Sequence, residues 1–562
     1  MKTDKVYILI MLLLVILTNT TMAQEDVRPG DRYEHYLRLF QISGADVPTN
    51  HSFLIRPIGV ECAEDSVDHW SSPCNDVGYL FESSNLLKVR LLNPSFSVSF
   101  NSNLPRGVND GAQWQGKGLN QKLVAGIQSN IGPLYLRFAP EIGFTQNADF
   151  DLGPYPHRNG NPYTYPWRNF DHVQRFGADP YAWTDLGDSY VQLRYFGFKL
   201  GVGNSRMWTG PAVHNPLLFS YNGPGFRHFV LGTYRPVKTL TGHVEFQYHL
   251  GFLEKSNYYD SRTDNRLNTA SSFVYVYSPR FVPGLSLGLN RTFIEEHPGD
   301  WKGVRENAFK VFQAVFKDIP DDNSPEVVEQ DNQLITLFFR WAVPGHGFEV
   351  YGEFGRNDHN VDFRDLRAQP DHDSAWLFGF IKTFNIRQDD LFAVGYEVTQ
   401  LDGSRSSYTR GTGQPPSPSN LGIVGRWYAH RNRNDFTHRG QVIGAGIGSS
   451  SISNSISFHY LKPSTQIGFR MARIAYGNGL LNFTSTYNLI RAENPDGLER
   501  FQLRNTEIMV GVDVTRKLKY GLELSGVIEQ SFIRNHLYLH KNDLQNTRVE
   551  LVLRKNLLGG VR

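Results

Sequence analysis

The sequence has little of several features that would assign a function directly. It contains two cysteines in 562 residues, and 57 lysines and arginines nearly balance 55 aspartates and glutamates. A formal net charge of +2 argues against a nucleic-acid partner, because proteins that bind nucleic acid usually present a strongly basic surface. After the N-terminal segment, no apolar run approaches the ~20 residues that a membrane-spanning helix needs.

Sequence motifs of catalysis and metal binding are also scarce. The zinc motif H-E-x-x-H is absent, and no pair of carboxylates is favoured by its spacing as the ~5 Å pair of a retaining glycosidase. His359 stands beside Asp358, and His372 stands between Asp371 and Asp373, but such pairs in polar loops are usually solvated. We therefore predict no enzymatic activity, no cofactor and no metal site.

The first 23 residues have the layout of a secretory signal peptide. Lys2 and Lys5 precede an apolar core from Val6 to Leu17, and Thr21 to Ala23 offers small residues for cleavage. An uncleaved anchor is the alternative, but the apolar core is shorter than the ~20 residues of a spanning helix. We predict that residues 1–23 are a cleaved signal peptide and that the protein is exported.

The two cysteines, Cys62 and Cys74, lie 12 positions apart. In an exported protein such a pair is expected to form one disulfide. A metal site built on the two thiolates is the alternative, but the further ligands that it would need are missing from the surrounding sequence.

Residues 24–92 have a pattern unlike that of the remaining chain. Tyr33, Tyr36 and Leu37 recur at helical spacing, which predicts an amphipathic helix from Asp31 to Ile42. We predict that this region forms a small, partly helical N-terminal subdomain in the periplasm.

From residue 93 to residue 562 the chain reads as a succession of about 18 short strands. The clearest alternation covers residues 348–354. One face consists of Phe348, Val350, Gly352 and Phe354, and the other of Glu349, Tyr351 and Glu353. In water this pattern indicates a sandwich with one wet face, whereas in a membrane it indicates a barrel with a polar lumen.

The connections between the strands favour the barrel. Very short turns, such as Gly197 and Pro344-Gly345, alternate with long connections, such as Gly203–His228 and Leu401–Arg439. Outer-membrane barrels have short turns at one end and long loops at the other, with aromatic girdles near the strand ends. We therefore predict an all-β fold, a large antiparallel transmembrane β-barrel of about 18 strands over residues 93–562, in the outer membrane of a Gram-negative bacterium.

Short motifs spread over most of the mature chain carry a resemblance to a known family. They include Trp208-Thr209-Gly210-Pro211, Asn222-Gly223-Pro224-Gly225, Phe348-Glu349-Val350-Tyr351-Gly352-Glu353, Arg356-Asn357-Asp358-His359 and Thr437-His438-Arg439-Gly440-Gln441. With these motifs the chain resembles the Wzi family of capsule-assembly outer-membrane proteins. The resemblance implies a barrel of 18 strands with a small helical periplasmic part, acting as a lectin for capsular or related surface polysaccharide without catalysis.

Candidate ligand contacts follow from the chemistry of sugar recognition, which uses planar hydrogen-bonding groups and flat aromatic faces. An acidic polysaccharide also favours arginine, which binds carboxylates in bidentate fashion. The candidate carbohydrate contacts are Arg206, Trp208, Glu353, Arg356, Asp358, His359, Arg364, Asp365, His438 and Arg439. The alternative is that inward charges such as Glu353 and Arg356 pair with each other. A candidate stacking platform or plug comprises Tyr155, Tyr163, Tyr165, Trp167 and Trp183, with a loop packed on itself as the alternative.

The predicted function is therefore non-catalytic binding of capsular or related polysaccharide, or exopolysaccharide, at the cell surface, which helps its assembly or retention. A passive porin or solute channel is the main alternative, and the two differ in whether the lumen is blocked. A hydrolase embedded in the barrel and a soluble exported sandwich are further alternatives. We expect a monomer surrounded by outer-membrane lipid.

Overall fold

The computed structural model describes residues 24–29, 32–44, 51–61, 80–83, 87–153, 161–165, 170–259, 267–313, 332–357, 367, 370–371, 374–387, 390–402, 427–429, 435–478, 488 and 490–555. Every structural statement below concerns these residues. The predicted signal peptide and the predicted pair Cys62 and Cys74 lie outside them. Cleavage of the signal peptide and the disulfide stay predictions.

Eighteen antiparallel strands close into a single barrel, as the sequence predicts. The strands are β1 (Leu87–Asn101), β2 (Gly118–Ile131), β3 (Leu134–Phe138 and Glu141–Thr145), β4 (Tyr181–Asp185 and Tyr190–Tyr195), β5 (Phe198–Gly203), β6 (His228–Thr233 and Val237–Lys238), β7 (Gly242–Glu254), β8 (Leu267–Pro279), β9 (Leu285–Glu296), β10 (Asn332–Val343), β11 (Phe348–Asn357), β12 (Ser374–Arg387), β13 (Asp390–Gln400), β14 (Ile452–Lys462), β15 (Thr465–Ala475), β16 (Thr506–Lys517), β17 (Leu522–Arg534) and β18 (Leu544–Lys555). Each strand pairs with its neighbours in chain order, and β18 closes the barrel on β1 with Leu551 opposite Val98.

Smaller elements lie outside the barrel wall. The helices are α1 (Arg32–Ser43) and α2 (Trp301–Phe309), and α2 continues into a 3-10 turn, Lys310–Phe312. Further 3-10 turns are Arg500–Leu503, Lys519–Gly521 and His536–Tyr538. Short strands pair as Gln24–Val27 with Ile58–Glu61, Ile55–Arg56 with Trp208–Thr209, Thr437–His438 with Gln441–Val442, and Phe81–Ser83 with the start of β1. Among the described helices, none combines the length and apolarity that crossing a membrane requires.

The two faces of the wall differ as the alternation predicts. On β11, Phe354 is 43% exposed on the outer side, whereas Glu349 and Tyr351 are 0% and 1% exposed on the lumen side. Because successive side chains of a strand point to opposite faces, a register shift of one residue would exchange the two sets. The apolar outer face is the surface that lipid covers in such a barrel.

The strand connections also follow the predicted alternation. The chain turns within residues 344–347 between β10 and β11, but it needs residues 401–451 between β13 and β14. At the tight turn between β4 and β5, Gly197 adopts a φ of +89°, a conformation that side chains other than glycine rarely adopt. We call the two ends of the barrel the short-turn end and the long-loop end.

Helix α1 lies inside the barrel, against the lumen face of β10–β12. The Nε of Arg38 donates to Oε1 of Glu349 at 3.1 Å, and the Nε of Arg340 donates to Oε2 of the same carboxylate at 2.6 Å. Leu37 on the same helix is 0% exposed. The helix and the following residues 51–61 therefore form a plug, the name used for them below.

The predicted helix from Asp31 to Ile42 is confirmed by α1, whose bounds are nearly the same. The predicted division of the chain at residue 92 and the periplasmic location of the region before it stay predictions. The wall itself begins at Leu87, somewhat earlier than predicted.

Replacing Arg38 tests whether its buried ion pair with Glu349, which also binds Arg340, holds the plug in the lumen. The Arg38→Ala variant leaves Glu349 with one arginine, and breaking a buried pair costs ~3–5 kcal/mol. We expect the backbone amides of α1 to exchange with deuterium at least ~10²-fold faster, while the barrel strands keep their protection. The matched control is Arg305→Ala, which removes an exposed arginine of α2. Unchanged exchange in α1 of the Arg38→Ala variant would contradict this role.

Candidate functional site

Two neighbouring strands of the barrel wall, β3 and β4, are interrupted at the same height along the barrel axis. β3 breaks between Phe138 and Glu141, and β4 breaks between Asp185 and Tyr190. Glu141 lies directly opposite Asp185 across the strand pair. The interruption therefore brings carboxylates of two strands together on the lumen side.

Arg206 binds the carboxylates at this interruption. Its Nε donates to Oδ1 of Asp188 at 3.0 Å, and its Nη2 donates to Oε1 of Glu141 at 2.6 Å. Burial alone would lower the pKa of Arg206, but the two carboxylates outweigh it and raise the pKa above its usual value. The guanidinium also lies over the ring of Tyr221, 5.0 Å from its centroid. This candidate contact is thus already engaged in a buried charge pair.

Arg439 binds the neighbouring carboxylate and is more accessible. Its Nη1 lies 3.1 Å from Oδ2 of Asp185, and its Nε donates to Oε2 of Glu254 at 2.8 Å. The Arg439 side chain remains 43% exposed. Arg206 and Arg439 are therefore linked through the opposed carboxylates Glu141 and Asp185.

Trp208 belongs to the loop 204–227, which lies in the lumen, and Glu353 is buried against that loop. Trp208 is 2% exposed and packs under the guanidinium of Arg56, whose carbon lies 4.8 Å from the ring centroid. Glu353 accepts a hydrogen bond from the amide N of Leu217 at 3.3 Å. These contacts position the loop, and neither side chain presents a face to an incoming ligand.

His438 is fully enclosed in a short hairpin near β7. Its Nδ1 accepts from the amide N of Glu254 at 2.9 Å. Burial and the neighbouring charge of Arg439 lower the pKa of His438 to about 3, so this imidazole is neutral at physiological pH. His438 is a positioning residue for the loop that carries Arg439.

Arg356 lies on the other side of the wall from Glu353. It is two positions beyond outward-facing Phe354 on β11, and it stands opposite Ile335 on β10. Glu353 and Arg356 therefore do not form the ion pair that was the predicted alternative to ligand binding. The candidates Asp358, His359, Arg364 and Asp365 lie outside the described residues, so their contacts with polysaccharide stay predictions.

Part of the predicted aromatic platform is found near the long-loop end. The ring of Tyr163 meets that of Tyr258 at 5.7 Å, and Tyr258 meets Phe176 at 5.8 Å, both edge to face. Tyr165 packs against His172 with ring centroids 4.6 Å apart. Trp183 is half-buried on β4, and Tyr155 and Trp167 lie outside the described residues. Tyr163 and Tyr165 thus pack on other rings of the protein, and the stacking platform of all five residues stays a prediction.

A small cavity of about 40 Å³, which no sequence pattern indicated, lies between the plug and strands β3–β7. Its lysine and arginines are Arg28, Arg137, Arg194, Lys199 and Arg206, and its tyrosines are Tyr190, Tyr221 and Tyr234. Among the described residues that line it, the carboxylate is Asp188, which Arg28 and Arg206 already bind at 3.0 Å and 2.9 Å. The lining of the cavity therefore has an excess of positive charge.

Inward-pointing residues of the barrel wall line this cavity. Tyr190, Gln192 and Arg194 alternate along β4, and the guanidinium of Arg194 lies 4.7 Å from the ring centroid of Tyr135. Counting alternate positions from exposed Val191 and Leu193 would have found these residues in the sequence. Arg28 could not be found in this way, because its position depends on the docked plug.

The described residues offer little for catalysis. No group of three or more histidine, cysteine or acidic side chains among them could hold a metal ion. The run from Gly284 to Gly288 has the spacing of a G-x-S-x-G motif, but it lies at the start of β9 and not at a strand-to-helix turn. Its Ser286 hydroxyl lies 2.7 Å from that of Ser278. The site can bind polar, anionic groups, and it has no evident nucleophile–base pair.

The fold defines the class of this protein as an outer-membrane β-barrel. Among solved structures, the chain is similar to Wzi of Escherichia coli, described as an outer-membrane protein involved in group 1 capsule assembly and a carbohydrate-binding β-barrel. The TM-score is 0.52 at 10% identity, over 83% of this chain and 84% of that one. This likeness concerns the fold alone.

Other solved structures are less similar. A BenF-like porin from Pseudomonas fluorescens Pf-5 matches with a TM-score of 0.38 at 12% identity, over 85% of this chain and 99% of the porin. OccAB4 of Acinetobacter baumannii matches with a TM-score of 0.38 at 12% identity, over 82% of this chain and 97% of that chain. No protein-family profile and no curated protein sequence matches the chain.

Removing Arg206 tests the structural part of the site. The Arg206→Met variant keeps the apolar stem but leaves Glu141 buried without an arginine and Asp188 with Arg28 alone, at a cost of ~3–5 kcal/mol. We expect the folded barrel to lose its resistance to unfolding in SDS at a clearly lower temperature than the wild type.

The matched control is Arg227→Met, because the side chain of Arg227 is 67% exposed where it pairs with Glu254. An exposed pair contributes ~0–1 kcal/mol, so this variant should unfold close to the wild type. Equal unfolding temperatures for the Arg206→Met and Arg227→Met variants would contradict the buried role of Arg206.

Proposed function

We propose that this protein is a non-catalytic outer-membrane protein that binds capsular or related surface polysaccharide and helps its assembly or retention at the cell surface. In this proposal the chain is exported through its signal peptide, and the lumen serves as a binding vestibule. The main alternative is a passive porin or solute channel.

The observation that carries the proposal is that the described residues fill the middle of the lumen. α1 occupies it beside β10–β12, and Leu217 and Phe219 of the loop 204–227 are 0% and 2% exposed within it. The backbone O of Leu217 accepts from Trp427 Nε1 at 3.0 Å and from Tyr428 OH at 2.8 Å. A passive channel needs a continuous aqueous path, and this packing favours binding over conduction.

The chemistry of the cavity supports a polyhydroxylated, acidic ligand. Arg137, Arg194 and Lys199 supply cationic donors for carboxylates, and the cavity tyrosines supply flat rings for the C–H faces of sugar rings. Of the sequence candidates, Arg206 borders the cavity. Arg439 is a second candidate contact, because it is the more exposed of the two arginines.

The likeness to Wzi adds to the proposal in one respect. That protein is described as a carbohydrate-binding β-barrel involved in capsule assembly, and we extend this description to the present chain as part of the proposal. The glycan itself is defined here by its chemistry alone, as an acidic polysaccharide.

Complementation of a deletion strain tests the proposal. We expect deletion to reduce the polysaccharide retained on the cell surface, and the wild-type gene to restore it. Lys199→Glu should restore less, because it puts a negative charge into the cavity and removes a charge-assisted contact worth ~1.5–3 kcal/mol. Purified protein should accordingly bind the strain's isolated polysaccharide at least ~10-fold more weakly with this change.

Lys238→Glu is the matched control, because it makes the same change of charge at an exposed position of β6. It should retain polysaccharide and bind it like the wild type. Unchanged surface polysaccharide after deletion, together with no measurable binding by the purified wild type, would refute the proposed function. Equal effects of the two lysine variants would refute the cavity as the binding site.

A further inference from the structure

Helix α2 and its 3-10 turn lie against the outer face of the barrel and not in the lumen. The Tyr248 hydroxyl on β7 donates to the backbone O of Ala308 at 2.8 Å. The Ser271 hydroxyl on β8 donates to the backbone O of Asn307 at 3.1 Å. The connection between β9 and β10 thus folds back along the wall.

The register of the strands identifies this side as the outer one. Leu287 on β9 and Leu337 on β10 are 46% and 57% exposed, as lipid-facing residues are. Arg291 lies four positions after Leu287, and Gln333 lies four positions before Leu337, so both point to that same side. The surface under α2 is therefore part of the face that lipid covers elsewhere.

This part of the outer face is polar, and α2 covers it. Arg291 and Glu295 are only 5% and 9% exposed although both point outward. Arg291 Nη1 donates to the backbone O of Val311 at 3.2 Å, and Lys310 Nζ lies 2.7 Å from Oε2 of Glu295. Charged groups on the lipid face of a barrel are destabilising near the bilayer midplane. By covering Arg291 and Glu295, the segment keeps these two side chains away from lipid.

The exposed face of the same segment carries a stripe of three large aromatic residues, with exposed Lys302 and Glu306 beside it. Trp301, Phe309 and Phe312 are 80%, 61% and 56% exposed. Together with exposed Arg305 they recur at helical spacing along one side of the segment. The stripe is continuous with the apolar outer surface of the wall, because Phe312 packs on Tyr248 with ring centroids 5.7 Å apart.

We propose that this stripe is a lipid-contact surface, with α2 lying in the bilayer leaflet at the long-loop end and Trp301 at the level of the lipid headgroups. Phe312 packs against Phe273, which is the seventh of the 13 residues of β8 and thus lies near the middle of the wall. Trp301 is 11 positions earlier, or roughly 16 Å along a helix axis, toward the long-loop end. Tryptophan is favoured at that membrane–water boundary. The proposal does not depend on the proposed polysaccharide binding.

Fluorescence quenching by lipid tests the proposal. The full-length protein and its Trp301→Phe variant are placed in vesicles of phosphatidylcholine with brominated or unbrominated acyl chains. The difference between the two proteins isolates the emission of Trp301, and we expect the variant to keep the fold because this side chain is exposed. We expect brominated lipid to remove most of that difference emission, and aqueous iodide to remove little of it.

Two further tryptophans of the chain calibrate the measurement. The Trp341→Phe difference reports an outward wall residue that is 39% exposed and should be quenched by brominated lipid. The Trp427→Phe difference reports a lumen residue that is 3% exposed and should not be. Emission of Trp301 that is quenched by iodide but not by brominated lipid would overturn the proposal. Emission protected from both quenchers would also overturn it, because a second protein copy or another protein would then cover the stripe.

Discussion

The buried contact of Glu349 with Arg38 and Arg340 is the interaction on which the arrangement of the lumen depends. A barrel of 18 strands encloses more space than its own inward side chains fill, so a blocked lumen needs an added element. A carboxylate removed from water is stable only when it is paired, and Arg38 reaches Glu349 only when α1 is docked. The wall and the plug therefore stabilise each other.

Docking of the plug also builds the candidate binding cavity. Arg28 comes from the chain just before α1, and Arg194 comes from β4, yet both line the same space. The interrupted strands supply Asp188, which binds Arg28 and Arg206 and ties this wall to the lumen. The 3-10 turn after helix α2 meets a comparable requirement on the outer face, where the backbone O of Val311 accepts a hydrogen bond from Arg291. In both places, contacts with a charged side chain of the wall hold a segment outside the barrel strands in position.

The repeating part of the fold could be predicted from the sequence, because it depends on a period of two residues. Phe354 and Glu349 occupy the outer and inner sides that alternation assigns to them. The individual contacts could not be predicted, because they join distant segments: Arg206 and Glu141 lie 65 residues apart. The chemistry of Trp208 and Arg206 suggested ligand contacts, which stay predictions, but it could not reveal their burial or their partners within the protein. Arg356 is different, since counting from Phe354 would have placed it on the outer side.

Single-channel conductance of the purified protein in planar lipid bilayers tests the central claim most directly, namely that the plug closes the lumen. The wild type should insert without a steady conductance, whereas a variant lacking residues 24–61 should form open channels, since its lumen loses α1 and the loop 204–227 loses Arg56, which packs on Trp208 and donates to the backbone O of Gly210. A large and steady open state of the wild type would contradict the claim and would favour the porin alternative.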